Sequence, residues 1–344
     1  MNHVVIMAGG IGSRFWPIST PEYPKQFIDI LDCGRTLIQL TFDRFMGICS
    51  NKNFWIVTNE KYVDIVRKQV PYLPLSHILA EPAARNTAPC IAWACWNIYK
   101  EDSDANVIVT PSDAVIMNSI KFQQTINSAL DFTKERNRII TIGITPNRPE
   151  TGYGYIHTTN VVCNNIHKVT AFKEKPNKEM AETYVSNGNY LWNAGIFVWN
   201  VNTIINCFKR YKPQIAAYMD KILRIGNVKE TFPLCENISI DFAIIEPAAA
   251  DGLVFTIPAD FDWSDLGNWQ SLHEKLSKDE YGNSSIGKVH FFNSSNNTVH
   301  IKNAKQIIIQ GLNGYIISEN EGHILICKRS EEQNIKKYCA LNNK

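Results

Sequence analysis

The chain has 344 residues, with 35 Lys and Arg against 33 Asp and Glu and 44% apolar residues, enough to bury an α/β core as one large domain plus a smaller one. A net charge of +2 without a long basic block disfavours general nucleic-acid binding, and no apolar run approaches the roughly 20 residues that cross a bilayer, so a soluble protein without a membrane partner is expected. The nine cysteines form an odd set without a Cys-x-x-Cys pair, and the N-terminal apolar run is too short and too lightly flanked for a signal peptide, which points to reduced thiols in a cytoplasm.

The first element is an apolar strand, Val4 to Ala8, which breaks into Gly9-Gly10-Ile11-Gly12 and is followed by Ser13, Arg14 and later Lys25. A buried parallel strand that ends in a glycine loop marks the ligand edge of an open α/β sheet, and the glycines let backbone N–H groups approach a phosphate. The loop is neither a dinucleotide fingerprint, whose third glycine position is Phe15 here, nor a P-loop, because Gly12 leads into Ser13-Arg14 rather than a Lys-Ser/Thr pair. Pro17, Pro21 and Pro24 forbid a regular helix between Arg14 and Lys25, so the two cations sit in an extended segment that could wrap a polyphosphate.

Further along, Leu37 to Ile48 has helical spacing and Phe54 to Val57 reads as a buried strand. A helix from about Lys61 to Gln69 and a short strand, His77 to Ala80, lead to the loop Glu81 to Asn86. Asn86 can cap the next helix, whose inner face would be Ala88, Ile91, Ala92, Cys95 and Tyr99. Val107 to Val109 delivers Pro111-Ser112-Asp113 at its carboxyl end, then a helix carries Phe122, Ile126, Ala129 and Leu130 inward, and Ile139 to Ile142 is another strand. This alternation argues for right-handed parallel crossovers through about the first 145 residues. Gly152 to Ile156, Val169 to Phe172 and Gly195 to Trp199 read as strands of a substrate half, with a helix near Lys178 to Ser186. From about Tyr281 the chain turns to short β pieces at 288–292, 298–301, 306–309, 315–318 and 323–327, with no repeat of fixed period.

The stretch AGGIGSRFWPISTPEYPKQF resembles the signature loop of sugar-nucleotide pyrophosphorylases, and its Trp-Pro-x-Ser and Pro-Lys-Gln-Phe pieces resemble the mannose-1-phosphate guanylyltransferases. Glu81-Pro82-Ala83-Ala84-Arg85-Asn86-Thr87-Ala88-Pro89, Pro111-Ser112-Asp113, Glu174-Lys175-Pro176, Trp192-Asn193-Ala194-Gly195 and Trp263-Ser264-Asp265-Leu266-Gly267 extend the match in family order over about 270 residues. The resemblance implies an α/β, Rossmann-like nucleotide-diphospho-sugar transferase fold with a mixed, mainly parallel central sheet in residues 1–280, and a small all-β domain, a short β-helix or β-roll, in 281–344. Longer relatives carry a phosphomannose isomerase module, and no isomerase activity is expected of this chain.

On the same resemblance, the substrates are GTP and mannose 1-phosphate, the products GDP-mannose and pyrophosphate, and the cofactor Mg²⁺. Arg14 would meet the departing phosphates and Lys25 the α-phosphate, while Asp113 and Asp265 would hold the metal. Nucleotide binding falls to Ala8, Gly9, Gly10, Gly12, Ser13, Glu81, Arg85, Asn86 and Thr87, and sugar-phosphate binding to Gly154, Glu174, Lys175 and Asn193. Taken alone, Asp113 and Asp265 are equally good helix caps or turn residues, and Glu174-Lys175 an ordinary surface pair. One departure stands out: many relatives have His after the first aspartate, where this chain has Ala114. Two alternatives stay open, a nucleotidyltransferase for another sugar 1-phosphate (glucose, fucose or a heptose) and a non-catalytic sugar-nucleotide-binding regulator. The β-rich tail could also serve a homodimer contact.

Overall fold

The computed structural model describes residues 1–10, 12–135, 137–173 and 175–340. Its chain separates into two compact units, one of Met1–Gly9, Thr41–Ser112 and Ile116–Trp263, the other of Gly10–Leu40, Asp113–Val115 and Ser264–Lys344. No helix among the described residues is long and apolar enough to cross a membrane.

The first unit is built on one mixed sheet. Its strands, in chain order, are β1 (Asn2–Ala8), β2 (Phe54–Asn59), β3 (Ile78–Glu81) and β4 (Asn106–Pro111), then, after the two-residue β5 (Val115–Ile116), β6 (Ile139–Ile144), β7 (Tyr155–Cys163), β8 (Ile166–Lys173), β9 (Tyr190–Asn200) and β10 (Val254–Ala259). Nine of them lie in the order β3-β2-β1-β4-β9-β6-β10-β8-β7. β1 is parallel to both neighbours, with Val5 opposite Trp55 on one side and Val109 on the other. Val4, Val5 and Ile6 are fully buried, as expected of a continuous apolar strand covered on both faces.

The parallel arrangement expected for the first 145 residues holds for β3, β2, β1 and β4. β6 keeps the same direction, but β9 inserts antiparallel between β4 and β6 and interrupts their direct pairing: Phe197 faces Val109 on one side and Thr141 on the other. The helix Thr87–Glu101 buries Ala88, Ile91, Ala92 and Cys95 as expected, but Tyr99 is exposed and Ile98 takes the core position. Against that helix pack Val201–Tyr211 and Pro213–Ile225, whose Ile204, Phe208, Met219 and Ile222 complete its apolar cluster.

In the second unit the C-terminal strands are β12 (Ser284–Ile286), β13 (Val289–Phe292), β14 (Thr298–His300), β15 (Ile307–Gln310), β16 (Tyr315–Asn320) and β17 (His323–Lys328), which follow the two-residue β11 (Trp263–Ser264). Parallel pairing sets Thr298 opposite Ile316 and Val289 opposite Ile307, eighteen residues on in both cases, and β17 closes the stack antiparallel to β16. The turns of this solenoid are held by buried asparagines. Asn297 Nδ2 donates to Asn283 Oδ1 (2.9 Å) and to the Leu312 carbonyl (2.9 Å), and its Oδ1 accepts from Tyr315 N–H (2.9 Å). A buried polar side chain with every bond made costs little, whereas its loss strands the partners. Asn297→Ala is therefore expected to lower unfolding free energy by about 2–4 kcal/mol, seen as a shifted denaturant midpoint; a shift below about 0.5 kcal/mol would contradict this account of the solenoid.

Candidate active site

After Ala8 the backbone needs conformations that only glycine adopts freely. Gly10 has φ 127° and Gly12 φ 62°, and Gly12 opens a single 3-10 turn, Ser13–Phe15. Phe15 is fully buried against Trp269, ring centroids 5.4 Å apart, and this anchor leaves Arg14 exposed beside it. The segment then stays irregular to Pro24, and a second 3-10 turn, Lys25–Phe27, swings the next cation inward. Gln26 Nε2 ties that turn back to the Gly10 carbonyl at 3.0 Å.

Lys25 is the centre of the arrangement. Its side chain is only 10% exposed, and its ammonium donates to the Leu266 carbonyl at 2.8 Å and the Asp265 carbonyl at 3.2 Å while pairing with Asp113 Oδ2 at 3.0 Å. Three acceptors match the three N–H groups of an ammonium, the condition for burying it. Arg14 Nη1 reaches the Gly267 carbonyl of the same loop at 3.4 Å. Arg14, Lys25, Asp113 and Asp265 thus come together within one compact unit although 251 positions separate the first from the last.

Two glycines make the room. A Cβ on Gly12 would lie 2.8 Å from Lys25 Cγ and 2.9 Å from Ser19 Oγ, and one on Gly267 would lie 2.5 Å from Asp265 Oδ2. Gly267 N–H also donates to Asp265 Oδ1 at 3.1 Å, so the backbone orients that carboxylate. The position where relatives carry His, Ala114, is buried.

The remaining candidates lie in the other unit, apart from Gly10, Gly12 and Ser13. Ala8 is buried, and its carbonyl accepts from Thr58 Oγ1 at 2.9 Å. Glu81 ends β3 and is buried, with Oε1 lacking any hydrogen-bond partner among the described residues. Burial pushes its carboxyl up to about 7, a rise only partly offset by a hydrogen bond from Cys90. Arg85 Nε donates to the Pro233 carbonyl at 2.8 Å. Asn86, at φ 63°, caps the following helix by accepting from Thr87 N–H at 2.9 Å, and Thr87 Oγ1 accepts from Ile240 N–H at 2.8 Å.

Among the residues expected at the sugar phosphate, the Gly154 carbonyl accepts from Asn193 N–H at 2.8 Å. The Asn193 amide oxygen accepts from Thr141 Oγ1 (3.0 Å) and Gly195 N–H (3.1 Å), while its Nδ2 donates to Asp241 Oδ1 (3.0 Å). Lys175 is exposed at φ 40°, and Glu174 lies outside the described residues. Asp241 and the 233–240 segment that ties down Arg85 and Thr87 escape a reading based on motifs, because their part is to hold other residues in place.

Arg14, Lys25, Asp113 and Asp265 gathered in one compact unit are a charge set suited to phosphate chemistry, and the model of the nucleotidyl transferase family matches residues 3–281. The mannose-1-phosphate guanylyltransferase of Escherichia coli K12 is 34% identical over 350 residues, covering 97% of this chain and 72% of that protein, and that of Klebsiella pneumoniae is 33% identical over 346 residues with the same coverage. The crystal structure of mannose-1-phosphate geranyltransferase from Thermus thermophilus shares the fold with a TM-score of 0.91 at 24% identity, covering 100% of this chain and 99% of that one. The chain belongs to the nucleotidyl transferase family and, within it, to the mannose-1-phosphate guanylyltransferases.

The packing of Gly12 on Lys25 can be tested directly. Gly12→Ala would force a side chain into a left-handed conformation and against the Lys25 stem. It should destabilise the protein by about 1–3 kcal/mol in thermal or denaturant unfolding, and an unchanged midpoint would show that the loop accommodates a Cβ freely.

Proposed function

We propose that this protein transfers GMP from GTP to α-D-mannose 1-phosphate, releasing GDP-mannose and pyrophosphate. The observation that carries the reading is the convergence of Asp113 and the Asp265–Gly267 loop on the Lys25 ammonium, with Arg14 on the same loop. The sugar-phosphate oxygen is already ionised near neutral pH, since a second phosphate pKa lies at ~6, so no general base is needed. That oxygen attacks the α-phosphorus as the bond to the α,β-bridging oxygen breaks, and pyrophosphate leaves with the electron pair. The obstacle is repulsion between two anions, and the protein's task is to neutralise charge and hold the reactants in line.

Arg14, exposed and bearing a planar fork, suits the β- and γ-phosphates of the leaving group. Lys25 is a compact charge and is assigned to the α-phosphate, exchanging one of its present acceptors for a phosphoryl oxygen. Asp113 and Asp265 fit magnesium in donor chemistry: both offer hard oxygens, and among the described residues no cluster of three or more His, Cys, Asp or Glu could enclose an ion by itself. A two-carboxylate site completed by phosphate and water is the magnesium pattern. When bound, the ion withdraws charge from the α-phosphate and the leaving pyrophosphate.

Glu81 is assigned to guanine, whose N1–H and 2-amino group are donors that an ionised carboxylate accepts and that adenine does not present together. Its unpartnered buried oxygen supports this. Gly154, Lys175 and Asn193 are retained for the sugar phosphate, with Asn193 acting through the backbone it orders. The nine cysteines, all free, support a reducing, cytoplasmic setting.

A turnover panel of triphosphates against sugar 1-phosphates tests the proposal: GTP with mannose 1-phosphate should give the highest kcat/KM, and a preference for UTP or dTTP would remove the guanine assignment. The Glu81 carboxyl, raised to about 7, must be ionised to accept from guanine, so GTP affinity should strengthen as pH rises from 6 to 8 and then level off. Glu81→Gln should abolish that Glu81-dependent part of the profile and weaken GTP by about tenfold or more; a profile identical in the variant would refute the assignment.

A further inference from the structure

Where the solenoid meets the chain that follows the signature glycines, the second unit forms a cavity of about 320 Å³. That is the small end of the roughly 300–1,000 Å³ typical of ligand pockets. One wall is Ile18, Thr20 and Tyr23, from the stretch between Arg14 and Lys25, and the other comes from the chain after β14 and the end of β16, including Lys302, Glu319 and Glu321. Two bonds hold the walls together: Asn320 Nδ2 donates to the Pro17 carbonyl at 3.1 Å, and Lys302 Nζ donates to the Asp29 carbonyl at 2.8 Å.

His300, the last residue of β14, lines this cavity. It is 4% exposed, and neither ring nitrogen has a hydrogen-bond partner among the described residues. Ser318 stands beside it in register on β16, fully buried, and its Oγ is equally unpartnered. Asn320, two residues further along β16 and so on the same face as Ser318, lines the cavity as well. Native interiors leave few such groups unpaired, so two adjacent ones beside a cavity call for a bonding partner from outside the chain.

The chemistry of these groups defines that partner. Burial and the nearby Lys302 charge lower the His300 imidazole to about 4, so near pH 7 it is neutral, with one N–H and one bare nitrogen. A serine hydroxyl likewise both donates and accepts. A phosphate has acceptors only and would face Asp29, Glu319 and Glu321, while Lys302 is already engaged by Asp32 Oδ1 at 2.9 Å and by the Asp29 carbonyl. An ammonium has donors only and leaves the imidazole N–H unmatched. Hydroxyls do both, and Glu319, whose Oε1 accepts from Gly322 N–H at 2.9 Å, has a second oxygen to accept from one. Ile18 and Tyr23 offer apolar surface to the carbon face of a ring.

We propose that this cavity is a second binding site, for an uncharged polyhydroxylated ring of monosaccharide size, and that its occupant acts on nucleotide binding through residues 15–24, which join Arg14 to Lys25. The site itself is independent of the transfer reading, whereas the effect on nucleotide rests on Arg14 and Lys25 as triphosphate contacts.

The test is calorimetric titration of the whole protein with D-mannose, D-glucose, D-galactose, N-acetyl-D-glucosamine and myo-inositol, with inorganic phosphate and putrescine as controls. At least one of the five polyols should bind with Kd below about 1 mM and at least tenfold more tightly than either control. Because His300 and Ser318 are unpaired in the free protein, His300→Phe and Ser318→Ala should leave its unfolding midpoint in place or raise it, yet each should weaken that polyol about tenfold. No polyol below that Kd, a control that binds as tightly, a lowered midpoint in both variants, or a polyol affinity unchanged in His300→Phe would overturn the site. Should a variant fail to fold, a crystal of the parent protein soaked with the tightest polyol decides: the polyol lies within hydrogen-bonding distance of His300, or the proposal is wrong. Saturating polyol should also change the Kd for GTP by about fivefold or more, and an unmoved GTP affinity would overturn the coupling. If the protein binds no GTP even without polyol, the transfer reading fails, and the polyol titration still decides the site.

Discussion

A buried ammonium is the constraint on which this site depends. Lys25 could not remain charged and almost fully covered without an acceptor for each of its three hydrogens, and those acceptors come from Asp113 and from the carbonyls of Asp265 and Leu266. Satisfying one side chain therefore draws together three segments far apart in sequence. The same demand dictates smaller choices: no side chain fits at Gly12, because the lysine stem occupies its place, and Leu266 takes φ 43° so that two consecutive carbonyls can face one donor. On the proposed function, structure and reactivity would share this residue, since an ammonium ringed by oxygens can trade one of them for a phosphate.

Residues outside the motifs hold this cluster in shape. Trp269 supports Phe15 and the C-terminal helix places Ile335 beside them, so the β-rich tail belongs to the same compact unit as the signature loop. In the other unit, Asp241 plays a comparable part for Asn193, and the Pro233–Ile240 segment for Arg85 and Thr87. On the proposed function a few charges would carry the chemistry, and these neighbours fix where the charges stand.

Much of this was legible in the sequence, for definite reasons. Val4 to Ala8 reads as a strand because it is a continuous apolar run ended by glycines, and the glycine run followed by Arg14 and Lys25 reads as an anion loop because few other roles need that combination. Other features left no local trace. That β9 slips between β4 and β6 is invisible, since an apolar strand buried on both faces has the same composition whether its neighbours are parallel or antiparallel. The eighteen-residue offset of the solenoid hides because Val289 and Ile307, or Thr298 and Ile316, share a place in the stack without a shared residue motif. Tyr99 misled by spacing: it lies one position past Ile98, which the helix turns inward. The helices at 201–225 did carry a signal, the spacing of Ile204, Ile205 and Phe208 and then of Ile215, Met219 and Ile222.

The family places this chain among enzymes that join a nucleotide to a sugar phosphate, and the Lys25 cluster supplies a physical route by which it would do so: a cation held in reserve by oxygens until a phosphate takes one of their places. The most direct measurement is a crystal structure of the protein with GDP-mannose and Mg²⁺, read at the Lys25 ammonium. The account predicts that Nζ lies within hydrogen-bonding distance of an α-phosphate oxygen, with the Asp113 and Asp265 carboxylates on the metal. A bound product with Lys25 still paired to Asp113 and turned away from the phosphate would contradict it.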